Sequence, residues 1–162
     1  MKKWDERPRE IRTLFNPAFC GLVLVRAIEG FTAEANRPMP FSLTLLILPL
    51  SLHQRTRNIF KQNNRSYLTS ILQEHPEIRV GLAQRTRGLF PYTMEAFAYL
   101  AAYDVITVDE NGGISVCDNR VRKSVSGSDE TKDCQTVART LGGKFSRIND
   151  RATIYTTLGI RP

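Results

Sequence analysis

Residues 90–116 constrain the fold more than any other stretch of this chain. Pro91 suits the first position of a helix, and residues 92–103 continue it without a breaker. Val105-Ile106-Thr107-Val108 then reads as a strand. Asn111-Gly112-Gly113 is a tight turn, and Ile114-Ser115-Val116 brings the chain back. The helix carries Tyr92, Thr93, Glu95, Ala96, Phe97 and Tyr99, with no Lys or Arg. A helix of that composition ahead of a hairpin presents aromatic and small side chains rather than charge.

The segments before it read as helices joined by turns. Residues 1–13 form a charged arm with Trp4 as its one large anchor, either a lid on the domain surface or a partner-docking residue. Asn16-Pro17 starts a helix, since Asn accepts from a free amide and proline suits the first position. Phe19, Leu22, Val23, Arg26 and Ala27 follow at helical spacing, and Gly30 marks an expected end or kink. After a turn region over 33–40, residues 41–52 are apolar nearly all round and predict a central buried helix kinked by Pro49. Residues 51–65 are the most basic window, with Arg55, Arg57, Lys61 and Arg65 and no acid; a solvated loop or an anion-contacting one is expected there. Residues 66–74 predict a helix with Leu68, Ile71 and Leu72 inward. Residues 77–89 predict another with Arg79, Arg85 and Arg87 outward, and 88–91 a corner.

Three short helices followed by a hairpin is the pattern of a winged helix. Beyond it, residues 118–128 read as a flexible loop. Asp129, Glu130 and Asp133 open a further helix, where acids suit the positive end of the dipole. Val137, Ala138, Leu141, Phe145 and Ile148 give that helix an apolar stripe, and Gly142-Gly143 inside it predicts a kink or a close approach to another helix. The expected fold is therefore mostly α with a small β-hairpin, a winged-helix-like domain with additional N- and C-terminal helices. It is read as one domain: an arm over 1–13, a body over 14–117, a loop over 118–128, and a C-terminal helix and tail over 129–162.

Charge and chemistry narrow the function. The 162 residues carry a formal charge of +7, which favours a polyanionic or acidic neighbour. Three widely spaced cysteines without a C-x-x-C pair argue against a disulfide framework or zinc site and fit a reducing cytoplasm. The most apolar run, 41–52, is too short to span a bilayer, so a soluble protein is expected. His53 and His75 lack partners at ligand spacing, and the carboxylates are scattered. Gly143-Lys144 does not complete a phosphate loop, because Ala138 stands where the first glycine is needed and Phe145 where Ser or Thr is needed. No enzyme, cofactor or metal is expected. Base readout needs Arg, Lys, Asn or Gln on the helix in the groove, and the 91–103 helix offers none. Phosphate contact needs only surface cations, for which Arg55, Arg57, Lys61, Arg65, Arg79, Arg85 and Arg87 are the candidates.

A set of short motifs adds a family. Trp4-Asp5-Glu6-Arg7-Pro8, Leu14-Phe15-Asn16-Pro17-Ala18-Phe19-Cys20, Pro40-Phe41-Ser42-Leu43, Leu48-Pro49-Leu50, Arg85-Thr86-Arg87 and the ending Leu158-Gly159-Ile160-Arg161-Pro162 together resemble the middle component of bacterial three-component ABC systems. That group includes the accessory subunit of Lamassu-type anti-phage defence. The resemblance implies a non-catalytic subunit beside an SMC/Rad50-like ATPase and a nuclease-type effector, bridging the two. On that reading the N-terminal arm with Trp4 and the tail with Arg161 dock on partners, and any DNA contact is non-specific. The alternative is a free-standing winged-helix DNA-binding regulator.

Overall fold

The computed structural model describes residues 6, 8, 15–148 and 150–161. Helix α1 (Pro17–Ala35) is the centre of the fold. Asn16 caps it through a 2.8 Å hydrogen bond from the Ala18 amide, and Pro17 follows at the first position. The helix passes through Gly30 without ending. It stops five residues later, where Asn36 takes a left-handed conformation (φ 50°) and its amide closes on the Thr32 carbonyl. The central buried helix is thus α1 rather than residues 41–52.

Residues 41–52 form two short helices, α2 (Phe41–Thr44) and α3 (Ile47–Ser51). Proline at 49 has no amide to return to the Leu45 carbonyl, so the chain breaks one turn earlier than the proline itself. Tight bonds from the Leu45 and Leu46 amides to Ser42 and Leu43 close α2, and Pro49 then sits in the first turn of α3. The expected kink is a full interruption. Both pieces remain apolar and fill the core with Leu43, Leu46, Ile47, Leu48 and Leu50.

The basic window is helical over most of its length, as α4 (Gln54–Gln62), with Thr56, Ile59 and Phe60 turned inward at helical spacing. Helix α5 (Leu68–Glu74) buries Leu68, Ile71 and Leu72 as expected. A short 3-10 turn (Pro76–Arg79) and the left-handed Gly81 lead into α6 (Leu82–Ala102), which runs straight across the expected corner with Pro91 in its interior. The bond that Pro91 deletes would run to the carbonyl of Arg87, an exposed residue whose carbonyl water can satisfy. Leu82 on one side, and Ala96, Phe97 and Leu100 on the other, fasten both halves to the core.

The hairpin forms as read, from β2 (Ile106–Val108) and β3 (Gly113–Val116), with Ile106 opposite Val116 and Val108 opposite Ile114. The Asp109 carboxylate accepts from the Asn111 and Gly113 amides at 2.8 Å each and shapes the turn. A further strand, β1 (Met39–Pro40), pairs antiparallel with β3, giving the order β1-β3-β2. The described chain is therefore mostly helical with a small three-stranded antiparallel sheet.

Helix α7 (Asp129–Ile148) lies against α1, with Val137, Ala138, Leu141 and Phe145 buried. Its glycines serve the closer of the two expected roles. A Cβ on Gly142 would stand 1.9 Å from the Ala27 carbonyl oxygen, and one on Gly30 would stand 2.1 Å from that of Arg139. The two helices meet backbone to backbone. Helix α8 (Arg151–Thr157), capped by Asp150, closes the core, and the Tyr155 hydroxyl donates to the Ser42 carbonyl at 2.6 Å.

Candidate functional site

The basic residues singled out by their sequence pattern sit on α4 and the turn after it, the 3-10 turn and the first part of α6, and most are held by the fold. Arg57 is buried; it donates to the Ser51 and Leu52 carbonyls and to the Glu130 carboxylate at 2.7 Å. It is a strut between α4 and α7, which corrects its reading as a surface contact. Lys61 pairs with Asp133 at 2.8 Å across the same seam. Arg79 donates to the Thr157 and Leu72 carbonyls, and Arg85 to those of Val80 and Ile78. Arg55 is exposed and 4.0 Å from Glu77. Arg65 and Arg87 are exposed on separate elements. Arg161 is exposed in the tail, and Trp4 lies outside the described residues.

Three of these arginines add positive field at His53. Its Nδ1 accepts from the Thr56 amide at 3.4 Å, capping α4, and lies 2.8 Å from the Thr56 hydroxyl. Desolvation holds the imidazole below the ordinary histidine value, and the positive fields of Arg85, Arg55 and Arg57 lower it further. The neutral ring suits the capping role, which requires a lone pair on Nδ1. Cys20 and Cys134 are buried; burial, with the fields of Cys134 and Glu95, pushes the Cys20 thiol up to about 12. Neither is a nucleophile in that state.

Two further buried cations serve the backbone. Lys144, the lysine of the incomplete phosphate-loop pattern, donates through Nζ to the carbonyls of Asn63, Asn64 and Ser66 and so gathers the turn after α4. Burial lowers its pKa, and Arg147 lowers it further. Arg26, 1 % exposed in the middle of apolar α1, reaches the loop after the hairpin. Its guanidinium donates to the Arg122 carbonyl at 2.6 Å, the Ser124 carbonyl at 3.3 Å, the Gln135 side chain and Glu29. Gln135 in turn donates to the Ser126 carbonyl. A cation inside the apolar run from Phe19 to Ile28 was the one sequence signal for this anchor.

Two of the exposed surfaces contrast in chemistry. On α6, Phe90 (47 % exposed) and Met94 (39 %) stand one turn apart, with Ala98 and Ala101 continuing the same side. Farther round, Tyr99 and Tyr103 pack against each other at 4.7 Å between ring centres and remain exposed. The second surface is a cleft of about 910 Å³ between the loop after β3 and the α1–α7 pair. Arg120, Arg122, Lys123 and Arg139 line it, together with Ser115 and Asn119. Among the described residues there is no cluster of three or more His, Cys, Asp or Glu placed to hold a metal ion, and no helix long and apolar enough to cross a membrane.

A family model described as ABC-three component (ABC-3C) system Middle Component 3 matches residues 4–162. The chain belongs to this family. No curated protein and no solved structure matches it. As the middle component of a three-component system it is a subunit with partners, and these two surfaces are places to look for them.

Proposed function

We propose that this middle component is a non-catalytic bridging subunit of a Lamassu-type anti-phage defence complex, joining an SMC/Rad50-like ATPase to a nuclease-type effector and contacting DNA without sequence preference. The observation that carries the reading is the exposed face of α6. Phe90 and Met94 cost free energy in water unless a partner covers them. Aromatic residues and methionine are enriched at the centres of protein interfaces, where Lys is depleted. The order of elements supports a winged-helix-like body: a helix, the short strand β1, further helices, α6 and then a hairpin whose β3 pairs with β1. In that body α6 is the helix ahead of the wing, and its composition fits a protein neighbour rather than the edges of bases. Family membership supports the accessory role.

Co-expression of the chain with the products of its neighbouring genes tests the proposal. A stable complex containing an SMC-like ATPase is expected. Failure to co-elute with any such ATPase, combined with a symmetric homodimer that selects one duplex sequence over its scramble in moderate salt, would instead establish the free-standing regulator.

A further inference from the structure

We infer that the cleft beside the β3–α7 loop is a docking site for the phosphate backbone of duplex DNA, carried by Arg120, Arg122, Lys123 and Arg139. The inference rests on the DNA-contact part of the proposed function and moves that contact away from α4. Four cations line the cleft against two acids, Glu29 and Asp118. Glu29 is already neutralised by Arg26 at 3.1 Å and Arg139 at 3.2 Å. Arg120, Arg122 and Lys123 are exposed and make no side-chain hydrogen bond or ion pair among the described residues. A second cleft of about 290 Å³ adjoins the first through Ala33 and Arg139, and its Arg147 is already paired with Glu34 at 2.7 Å, so the unpaired cations are those of the first cleft.

The lining distinguishes the occupant. It contains no aromatic side chain, whereas aromatic anchors dominate protein interfaces. Base stacking on aromatics is also how single strands are held, so a cleft without them suits a duplex. Cations with Ser and Asn between them are the groups that contact phosphate and sugar and carry no sequence information. The loop is also held in place from beneath, since Arg26 grips the carbonyls of Arg122 and Ser124, and Gln135 grips that of Ser126. Anchoring the backbone from inside leaves the Arg120, Arg122 and Lys123 side chains free to face outward.

Fluorescence anisotropy of the isolated full chain with two labelled duplexes of unrelated sequence, across a salt series, tests the assignment. Equal affinity for both and a steep salt dependence are expected. The combined variant Arg120→Gln, Arg122→Gln, Lys123→Gln should weaken binding at least tenfold and flatten the logarithmic salt slope by about two to three. It should still melt at the parental temperature and co-purify with the partner subunits. The pair Arg65→Gln, Arg87→Gln should bind like the parent. The assignment is overturned if the triple variant binds DNA unchanged, if the Arg65/Arg87 pair loses as much, or if a poly-glutamate peptide binds more tightly than the duplex. Absence of any duplex binding by a chain that still co-purifies with its partners would overturn the cleft and leave the bridging role standing.

Discussion

The outer face of α6 and the cleft after β3 are both exposed, and they are built by opposite chemistry. The α6 face is aromatic and aliphatic, with no cation between Gly88 and Ala102, and its geometry is that of a rigid 21-residue helix. The cleft is cationic, without aromatics, and lies on a loop that has no regular hydrogen-bonded structure of its own. One surface gains from losing water, an effect that salt does not screen. The other acts through charge, which salt weakens and which tolerates imprecise geometry. On the proposed function, a subunit that holds a protein and contacts DNA uses two such surfaces kept apart, and +7 of net charge is compatible with a helix that has no cation after Arg87 in the place where a DNA reader would be basic.

Both surfaces rest on one support, the crossing of α1 and α7, and breaking it should erase the contrast. Replacing Gly142 with Leu inserts a side chain where even a Cβ would stand 1.9 Å from the Ala27 carbonyl oxygen. Separation of α1 from α7 should cost more than about 4 kcal/mol, beyond the usual overpacking range. Both surfaces should then fail together, with loss of a cooperative melt in circular dichroism. Arg26→Met is more selective. It strands the Arg122 and Ser124 carbonyls and should destabilise the chain by about 2–4 kcal/mol. Hydrogen exchange should rise across residues 119–126 and DNA affinity should fall, while partner association persists at temperatures where the fold survives.

The opposite separation comes from Phe90→Glu with Met94→Glu. Both side chains are exposed, so the melting midpoint should move by no more than about 0.5 kcal/mol equivalent. Pull-down of the partner subunit should weaken at least tenfold, about 1.4 kcal/mol, with duplex binding unchanged. The smallest expected effect is the pH response of His53. Its folded pKa lies below its unfolded one, so the cap is fully present above about pH 6.5 and is lost as pH falls through the folded value. Because the ring is partly exposed, the loss should be a fraction of the roughly 1 kcal/mol of a side-chain cap. His53→Asn keeps a capping oxygen that does not titrate, and its melting temperature should vary less with pH between 7 and about 5.

Local signals were legible in the sequence, and signals that depend on distant partners were not. Asn16-Pro17, the hairpin turn, the inward set of α5 and the stripe on α7 each follow from spacing within one or two turns, and each stands where it was expected. The two residues of β1 become a strand only because β3 arrives beside them from far along the chain. Polar composition concealed α4, whose inward residues Thr56, Ile59 and Phe60 form a narrow stripe. Pro91 reads as a helix start when taken alone, yet buried residues on both sides carry the helix through it. The candidate cations show the same limit. Arg57 is held by the carboxylate of Glu130 and Arg79 by the carbonyl of Thr157, both far along the chain, while Arg120, Arg122 and Lys123 stand inside a segment whose composition signals only flexibility.

The glycine crossing also makes a statement about descent. Most packing contacts join two side chains, so a loss on one side can be repaired by a change on the other. Gly30 and Gly142 each abut carbonyl oxygens, which no substitution can trim. Neither position has a compensating partner, and drift has no step to take there. Across the lineages of this family these two sites should stay fixed as glycine while the arginines of the cleft are exchanged for lysine or shifted by a residue. The crossing is then a fixed point of the chain, and the surfaces it supports are the parts free to change.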